Sequence, residues 1–419
     1  MKTLFITPYL SIDSCTEFSV NKTGFGYMVS DIASCLSEEI DVEIFASDSK
    51  GSSYKYNGFT ILRRTYKDII FNILHCTSIW PIISLIFKYK TNIAVSVRLL
   101  YYWASTGYLK KIIKEGGYDI VHIHDLSFSV IPWTMVCKEL KKPNLITLHA
   151  LKSFSATVRL DQSGKRFERD FFKLLGNSNY CISVLSTGMK SKIESSANRK
   201  GLTNIKVIPN AFFLKSSEDI DCTNLRKKYG LRDDSKIVLC VGNICRRKNQ
   251  GQLIKAFELL PEMLAENTYI LFLGGFLEHD YTENELTQGC FRKDHYIFCG
   301  VIDKNFVGLY YMQADVVALV SQSEAFGLSL IEGMHYGLPG LMFTDMEAFD
   351  EIYSERSSVG VCSHADIDVS KGLQDVLTRS WDRREIAQLS AKFNSDKMRE
   401  RYINLYAQLI VGNYEEDIL

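Results

Sequence analysis

The densest chemistry in this 419-residue sequence lies between Ser321 and Gly340, SQSEAFGLSLIEGMHYGLPG. An apolar strand run ends at Val320 and Glu324 follows in a loop. A helical pattern then starts at Gly327 or Leu328 and stops at Gly337, with Pro339 beyond. Such a helix start presents the unpaired backbone N–H groups of Gly327, Leu328 and Ser329, an anion site suited to a diphosphate. Glu324 stands just ahead of this turn and Glu332 one turn inside it. Carboxylates beside an anion site make sense when each accepts hydrogen bonds from hydroxyls, as a sugar offers them. A basic triplet, Arg246-Arg247-Lys248, follows another strand run and can neutralise phosphate. His122 and His124 alternate along a strand and share a face; with no third ligand nearby they read as structural. The triplets Asp219–Asp221 and Asp366–Asp368 lie in polar connecting text and read as turns or caps. No G-x-G-x-x-G follows the first strand run, which argues against a nicotinamide enzyme.

The elements that must carry these residues come in two rounds. Thr3–Thr7, Val42–Ala46, Ile120–Ile123, Leu145–Leu148 and Ile182–Leu185 are short apolar runs separated by helical spacing, for example Met28, Ile32, Cys35 and Leu36. The pattern restarts with Ile237–Val241, a helix over Gln252–Leu260, Tyr269–Leu273, Val316–Val320 and a helix over Leu328–Tyr336. This is the pattern of parallel sheets with crossover helices, and it predicts two doubly wound α/β domains facing a cleft. The polar stretch KSSEDIDCTN, within Pro209–Asn224, marks the linker. The expected division is 1–210, 211–395, and a last helix over 396–419 that packs back on the first domain.

Charge follows the same division. Met1–Lys206 carries 27 Lys and Arg against 17 Asp and Glu, a net +10, and the remainder carries 22 against 32, a net −10. The basic half favours an anionic surface or a phosphate-bearing ligand. The composition, 46% hydrophobic and 23% charged, excludes a disordered or fibrous chain. Eleven cysteines without a C-x-x-C, and no secretory h-region at the N-terminus, read as reduced cytosolic thiols. Ile69–Phe87 is nineteen residues without an acidic or basic side chain, flanked by KYK, Arg98, Tyr101-Tyr102-Trp103 and Lys110-Lys111. Three readings are open: buried helices, an in-plane element on a membrane surface, or a span, the last opposed by Asn72, His75 and Pro81.

The E-x7-E pair Glu324 and Glu332, with Phe326-Gly327 inside and Gly337-x-Pro339 after it, resembles the signature of retaining GT-B enzymes of glycosyltransferase family 4. VGNICRRKN (241–249), LFLGG (271–275), YDIVHIHD (118–125), LITLHA (145–150) and VIPNAF (207–212) stand in the order of that family's landmarks. The resemblance covers nearly the whole chain. It implies the GT-B fold and sugar transfer from a nucleotide-diphosphate donor to a glycan or lipid-linked acceptor. O-antigen, lipopolysaccharide or capsule assembly is its implied setting. It implies that Glu332 binds the ribose, that Glu324 holds the donor sugar, and that Arg247 and Lys248 neutralise the diphosphate. Gly327, Leu328 and Ser329 would add the helix dipole, with Gly274 and Asn243 on the nucleotide side. His149 would stand near the anomeric carbon. The glycine loop at Gly24 and Gly26, with His124, would lie on the acceptor side.

No metal or other cofactor is implied, and no nucleic acid. The implied location is the cytoplasm, at the inner face of a membrane. Three departures stand out: Gly242-Asn243 where the family often has Gly-Arg, Thr344–Ala348 where it is often glycine-rich, and Gly-Phe-Gly for a Gly-Gly pair. A nucleotide-sugar epimerase and a catalytically silent GT-B subunit are the competing readings.

Overall fold

A computed structural model describes residues 1–12, 24–47, 53–62, 65–124, 126–154, 162–175, 180–213 and 224–412. Its first sheet contains β1 (Lys2–Thr7), β2 (Asp41–Ala46), β3 (Tyr54–Tyr56), β4 (Phe59–Ile61), β5 (Ile120–His124), β6 (Asn144–Leu148), β7 (Cys181–Val184) and β8 (Ile205–Val207). They lie side by side as β3-β4-β2-β1-β5-β6-β7-β8, all parallel except the β3–β4 pair. The accompanying helices are α1 (Gly24–Leu36), α2 (Tyr66–Phe71), α3 (Trp80–Tyr89), α4 (Ile93–Ala104), α5 (Thr106–Gly116), α6 (Val130–Glu139), α7 (Gln162–Leu175) and α8 (Thr187–Ser196).

The second sheet contains β9 (Lys236–Val241), β10 (Thr268–Leu273), β11 (Tyr296–Gly300), β12 (Val316–Leu319), β13 (Gly340–Phe343) and β14 (Ser358–Val361), in the order β11-β10-β9-β12-β13-β14. Its helices begin with α9 (Leu225–Tyr229), α10 (Gln250–Glu258), α11 (Glu262–Ala265), α12 (Glu283–Leu286) and α13 (Lys304–Gln313). They continue with α14 (Leu328–His335), α15 (Phe349–Ile352), α16 (Asp366–Thr378), α17 (Arg383–Ser390) and α18 (Ser395–Val411).

These are two doubly wound parallel-sheet domains, and all the strands read from the sequence lie in them. In each sheet the strand order reverses beside a central strand, between β1 and β5 and between β9 and β12. Crevices that take ligands open at the carboxyl ends of the strands at such reversals. The strands are buried on both faces, as β1 shows with Leu4, Phe5 and Ile6 all fully buried.

Several expectations change shape. Gly24 and Gly26 are not in a loop but in the first turn of α1. A Cβ on Gly26 would sit 2.3 Å from the Ser11 hydroxyl oxygen, so glycine lets this turn press against the segment after β1. Ile69–Phe87 does not form one helix: α2 ends at Phe71, a single 3-10 turn covers Ile73–His75, and Pro81 sits in the first turn of α3. Among the described residues no helix is long and apolar enough to cross a membrane. Asp366 and Asp368 occupy the first turn of α16, where carboxylates suit the helix dipole. Asp219–Asp221 and most of the expected linker lie outside the described residues.

α18 leaves the second domain and packs on the first. Its Tyr402, Leu405 and Tyr406 share a core with Phe5, Met28, Ile32 and Ile44. Arg399 pairs with Glu38 and, at 2.9 Å, with Glu39, both just after α1.

Candidate active site

Two loops flank the β9–β12 reversal and are tied together by backbone: the Gln322 N–H donates to the Arg247 carbonyl at 2.9 Å. The first loop, residues 242–249, is shaped by its neighbours after β10. Gly242 N–H donates to Leu273 O, and Ile244 N–H to Gly275 O, each at 2.8 Å. Gly274 has φ +149°, and a Cβ there would lie 2.3 Å from the Gly242 carbonyl oxygen, so the two turns touch backbone to backbone. The Asn243 carbonyl accepts from the Gln250 side chain at 3.1 Å, which anchors the loop to α10.

The three basic residues separate. Arg246 turns outward to Glu278 (3.4 Å) and Asp280 (2.8 Å) and covers the Tyr281 ring, so it takes no part in the cleft. Arg247 donates to the Ser323 carbonyl at 3.0 Å and stands 3.8 Å from Glu324. Lys248 runs across Gly242 and reaches Glu324 Oε2 at 2.5 Å. Ser321 Oγ donates to the same oxygen at 3.3 Å. Burial would push the Glu324 carboxyl up, but the Lys248 and Arg247 charges outweigh it, and the group is held below the usual glutamate range. A compact cation–carboxylate cluster therefore sits directly ahead of α14.

α14 begins from Gly327, whose φ of +86° turns the chain sharply into the helix. Leu328 and Ser329 follow in its first turn, with Ser329 buried. Glu332, one turn in, accepts from the Tyr311 hydroxyl at 2.7 Å. Its carboxyl is raised to about 7, chiefly by burial, while the Tyr311 hydrogen bond holds it down. Tyr311 lies on α13 and was missed in the sequence because LYYMQ reads as core spacing. Lys304, also on α13, binds Asp31 of α1 at 2.7 Å, a link between the domains beside Glu332.

Across the cleft, His149 follows β6 and is partly exposed. Its Nε2 lies 3.0 Å from His124 Nδ1, and its ring meets the Phe25 ring edge-on at 5.0 Å. His124 is fully buried, so it stands behind His149 and offers an acceptor no surface of its own. His122, also buried, holds Tyr406 of α18 and Thr147, each at 2.6 Å. Burial, reinforced by the neighbouring imidazoles, pushes the pKa of both His122 and His124 well below the usual histidine value, so they are neutral at pH 7. Gly24 is exposed at the start of α1, and Phe25 between the glycines contributes the ring against His149.

The structure thus brings Glu324, Arg247, Lys248, Gly327, Leu328, Ser329 and Glu332 to one reversal point, with the Gly242–Asn243 and Gly274 turns at its edge. Two family models match the chain: residues 221–392 match Glycosyl transferases group 1, and residues 23–214 match Glycosyltransferase Family 4. The alpha-monoglucosyldiacylglycerol synthase of Streptococcus pneumoniae is 24% identical over 326 residues, covering 74% of this chain and 70% of its own. Among solved structures, sucrose-phosphate synthase from Thermosynechococcus elongatus superposes with a TM-score of 0.70 at 18% identity, covering 98% of this chain and 99% of its own. Anabaena HepE, solved with UDP and glucose, gives 0.68 at 16% identity, covering 97% of this chain and all of its own. With both domains matched in order and the fold shared end to end, the chain belongs to the GT-B glycosyltransferases of the family 4 type.

Proposed function

We propose that this enzyme is a retaining transferase that takes its sugar from a nucleotide-diphosphate donor, with UDP the first nucleotide to test, and needs no metal. The observation that carries the reading is the Lys248–Glu324–Arg247 cluster at the start of α14. Arg247 and Lys248 together with the first-turn N–H groups offer the departing diphosphate two cationic groups and a helix end. Glu332 accepts hydrogen bonds from the ribose hydroxyls. Glu324, freed in part from Lys248 when phosphate arrives, binds hydroxyls of the donor sugar. His149 faces the anomeric carbon, fixed from behind by neutral His124. The acceptor approaches the same sugar face as the leaving diphosphate, whose oxygen takes the acceptor proton.

The acceptor side belongs to the basic first domain, and a lipid-linked glycan at the inner face of a bacterial membrane suits its charge. Envelope polysaccharide assembly (O-antigen, lipopolysaccharide or capsule) is the setting this implies.

Calorimetric titration with UDP, GDP and their common sugar conjugates, in the presence of a chelator, tests the donor part. Saturable binding by one nucleotide series, lost in Glu332→Ala, is expected. No binding by any of them overturns the reading in favour of a silent subunit, and acceptor-free conversion of a donor into its epimer overturns it in favour of an epimerase.

A further inference from the structure

Among the described residues, ten of the 24 exposed large apolar side chains fall between Tyr66 and Leu100. Leu74 is 92% exposed, Ile93 83%, Phe71 80%, Phe87 76% and Trp80 73%. The spacing shows that this is a built surface. On α4, Ile93, Val97 and Leu100 follow i, i+4, i+7 along one exposed stripe, while Leu99 on the other side is buried. On α3, Trp80 and Phe87 lie two turns apart, and Ile82 and Tyr89 face inward. These helices therefore have two apolar faces, one satisfied by the first domain and one turned to solvent. Monomeric proteins seldom keep such a concentration without a use for it.

Charge selects the occupant. Lys67, Lys88, Lys90 and Arg98 are exposed on the same segment. From Tyr66 to Ala104 the single acidic residue is Asp68, whose carboxylate is turned back into the capping box of α2. Apolar tips among cations fit the boundary between anionic headgroups and acyl chains. A second copy of the chain would bring the same four cations against one another across a two-fold axis. The segment is also attached near the cleft. Tyr101, late in α4, donates to the Ser47 carbonyl just past β2 at 3.4 Å, and Tyr108 of α5 meets the Phe45 ring at 6.4 Å.

We propose that the surface of α2, α3 and α4 docks the enzyme in-plane on an anionic lipid bilayer, holding the carboxyl-end rim of the first sheet close to the headgroups. This deepens the membrane part of the function proposed above and rests on it only for the lipid-linked acceptor.

Cosedimentation of the full chain with vesicles of phosphatidylcholine, with and without one-third phosphatidylglycerol, tests it. The wild type is expected to pellet with the anionic vesicles at low salt and to partition less at high salt. Trp80 fluorescence should shift to the blue on binding, a change absent from Trp80→Phe. The double variant Leu74→Glu/Phe87→Glu is expected to weaken partitioning at least tenfold, since two exposed apolar side chains that would enter the bilayer become charged. Because both side chains are exposed, its thermal melt and its nucleotide affinity should stay at wild-type values. Failure of the wild type to pellet at low salt, or unchanged partitioning of the double variant, overturns the proposal. So does a wild-type dimer in light scattering that the double variant dissolves. Loss of nucleotide binding by the wild type would overturn the donor reading and leave this one standing.

Discussion

Lys248 crosses the Gly242 backbone to reach a carboxylate that its own charge keeps ionised, so removing it has two effects. In the proposed donor pose the diphosphate loses a preorganised cation, and Glu324 loses the neighbour that lowers its pKa. Lys248→Ala is expected to reduce kcat/KM by about 10²–10³-fold, measured with saturating acceptor. A loss below about threefold would place the diphosphate elsewhere, since such donors contribute about 10²–10³-fold. Glu332 offers a different test because its folded-state pKa of about 7 lies above the ordinary carboxylate value. The native state binds more protons than the unfolded one between the two values, so this group's contribution to stability falls as pH rises through that window. The penalty is fully present above pH 7 and vanishes below the unfolded pKa. Glu332→Gln keeps an acceptor for Tyr311 and should raise stability at pH 8 by up to about 3 kcal/mol, with little gain at pH 4. It should also weaken nucleotide binding. The proposed ribose contact would favour the ionised carboxyl, so nucleotide binding near pH 7 should release about half a proton. Calorimetry in buffers of different ionisation enthalpy measures that release.

At the scale of elements, the turns after β9 and β10 depend on a backbone contact that no side chain can enter. Gly274→Ala would drive a Cβ into the Gly242 carbonyl at a φ of +149°. It is expected to cost about 2 kcal/mol or more in urea unfolding and to weaken nucleotide binding together with it. The central strands were legible because burial on both faces makes them continuous apolar runs, as in Ile237–Val241. The flanking β3, β4 and β8, only three residues each, carry too little pattern to be read. The start of α14 and its neighbouring carboxylates were legible because one loop and one helix hold them. Tyr311 and the Lys304–Asp31 link were not, since they come from α13 and α1 and meet only through folding. Gly26 misled for a physical reason: a glycine permits close approach of a helix turn as readily as it permits a loop.

Over the whole molecule, the two domains touch at both ends of the cleft. Lys304 binds Asp31 at 2.7 Å on one side. On the other, Lys192 of α8 binds Glu347 at 2.8 Å and the Thr187 N–H meets Glu351 at 2.5 Å. The partly exposed Lys304–Asp31 bridge contributes about 0.2–1 kcal/mol, whereas Glu347 is buried, so removing Lys192 would strand its carboxylate. The variant Asp31→Asn should loosen the contact between the domains by about 0.2–1 kcal/mol. Small-angle scattering should show a larger radius of gyration without nucleotide and recovery when nucleotide is added.

α18 makes the first domain discontinuous in the chain: Cys35 donates to the Ser395 carbonyl, and Tyr406 binds buried His122, across more than half the sequence. On the ribosome, β1 and α1 emerge long before α18. At about 5–20 residues per second the wait is roughly twenty seconds to just over a minute. Throughout that interval the face of the first sheet around Phe5, Ile44 and His122 has the cover of α1 but lacks the part that α18 supplies, while the second domain can complete its own fold. The nascent first half is therefore the natural client of a holding chaperone, released only by the arrival of the last helix.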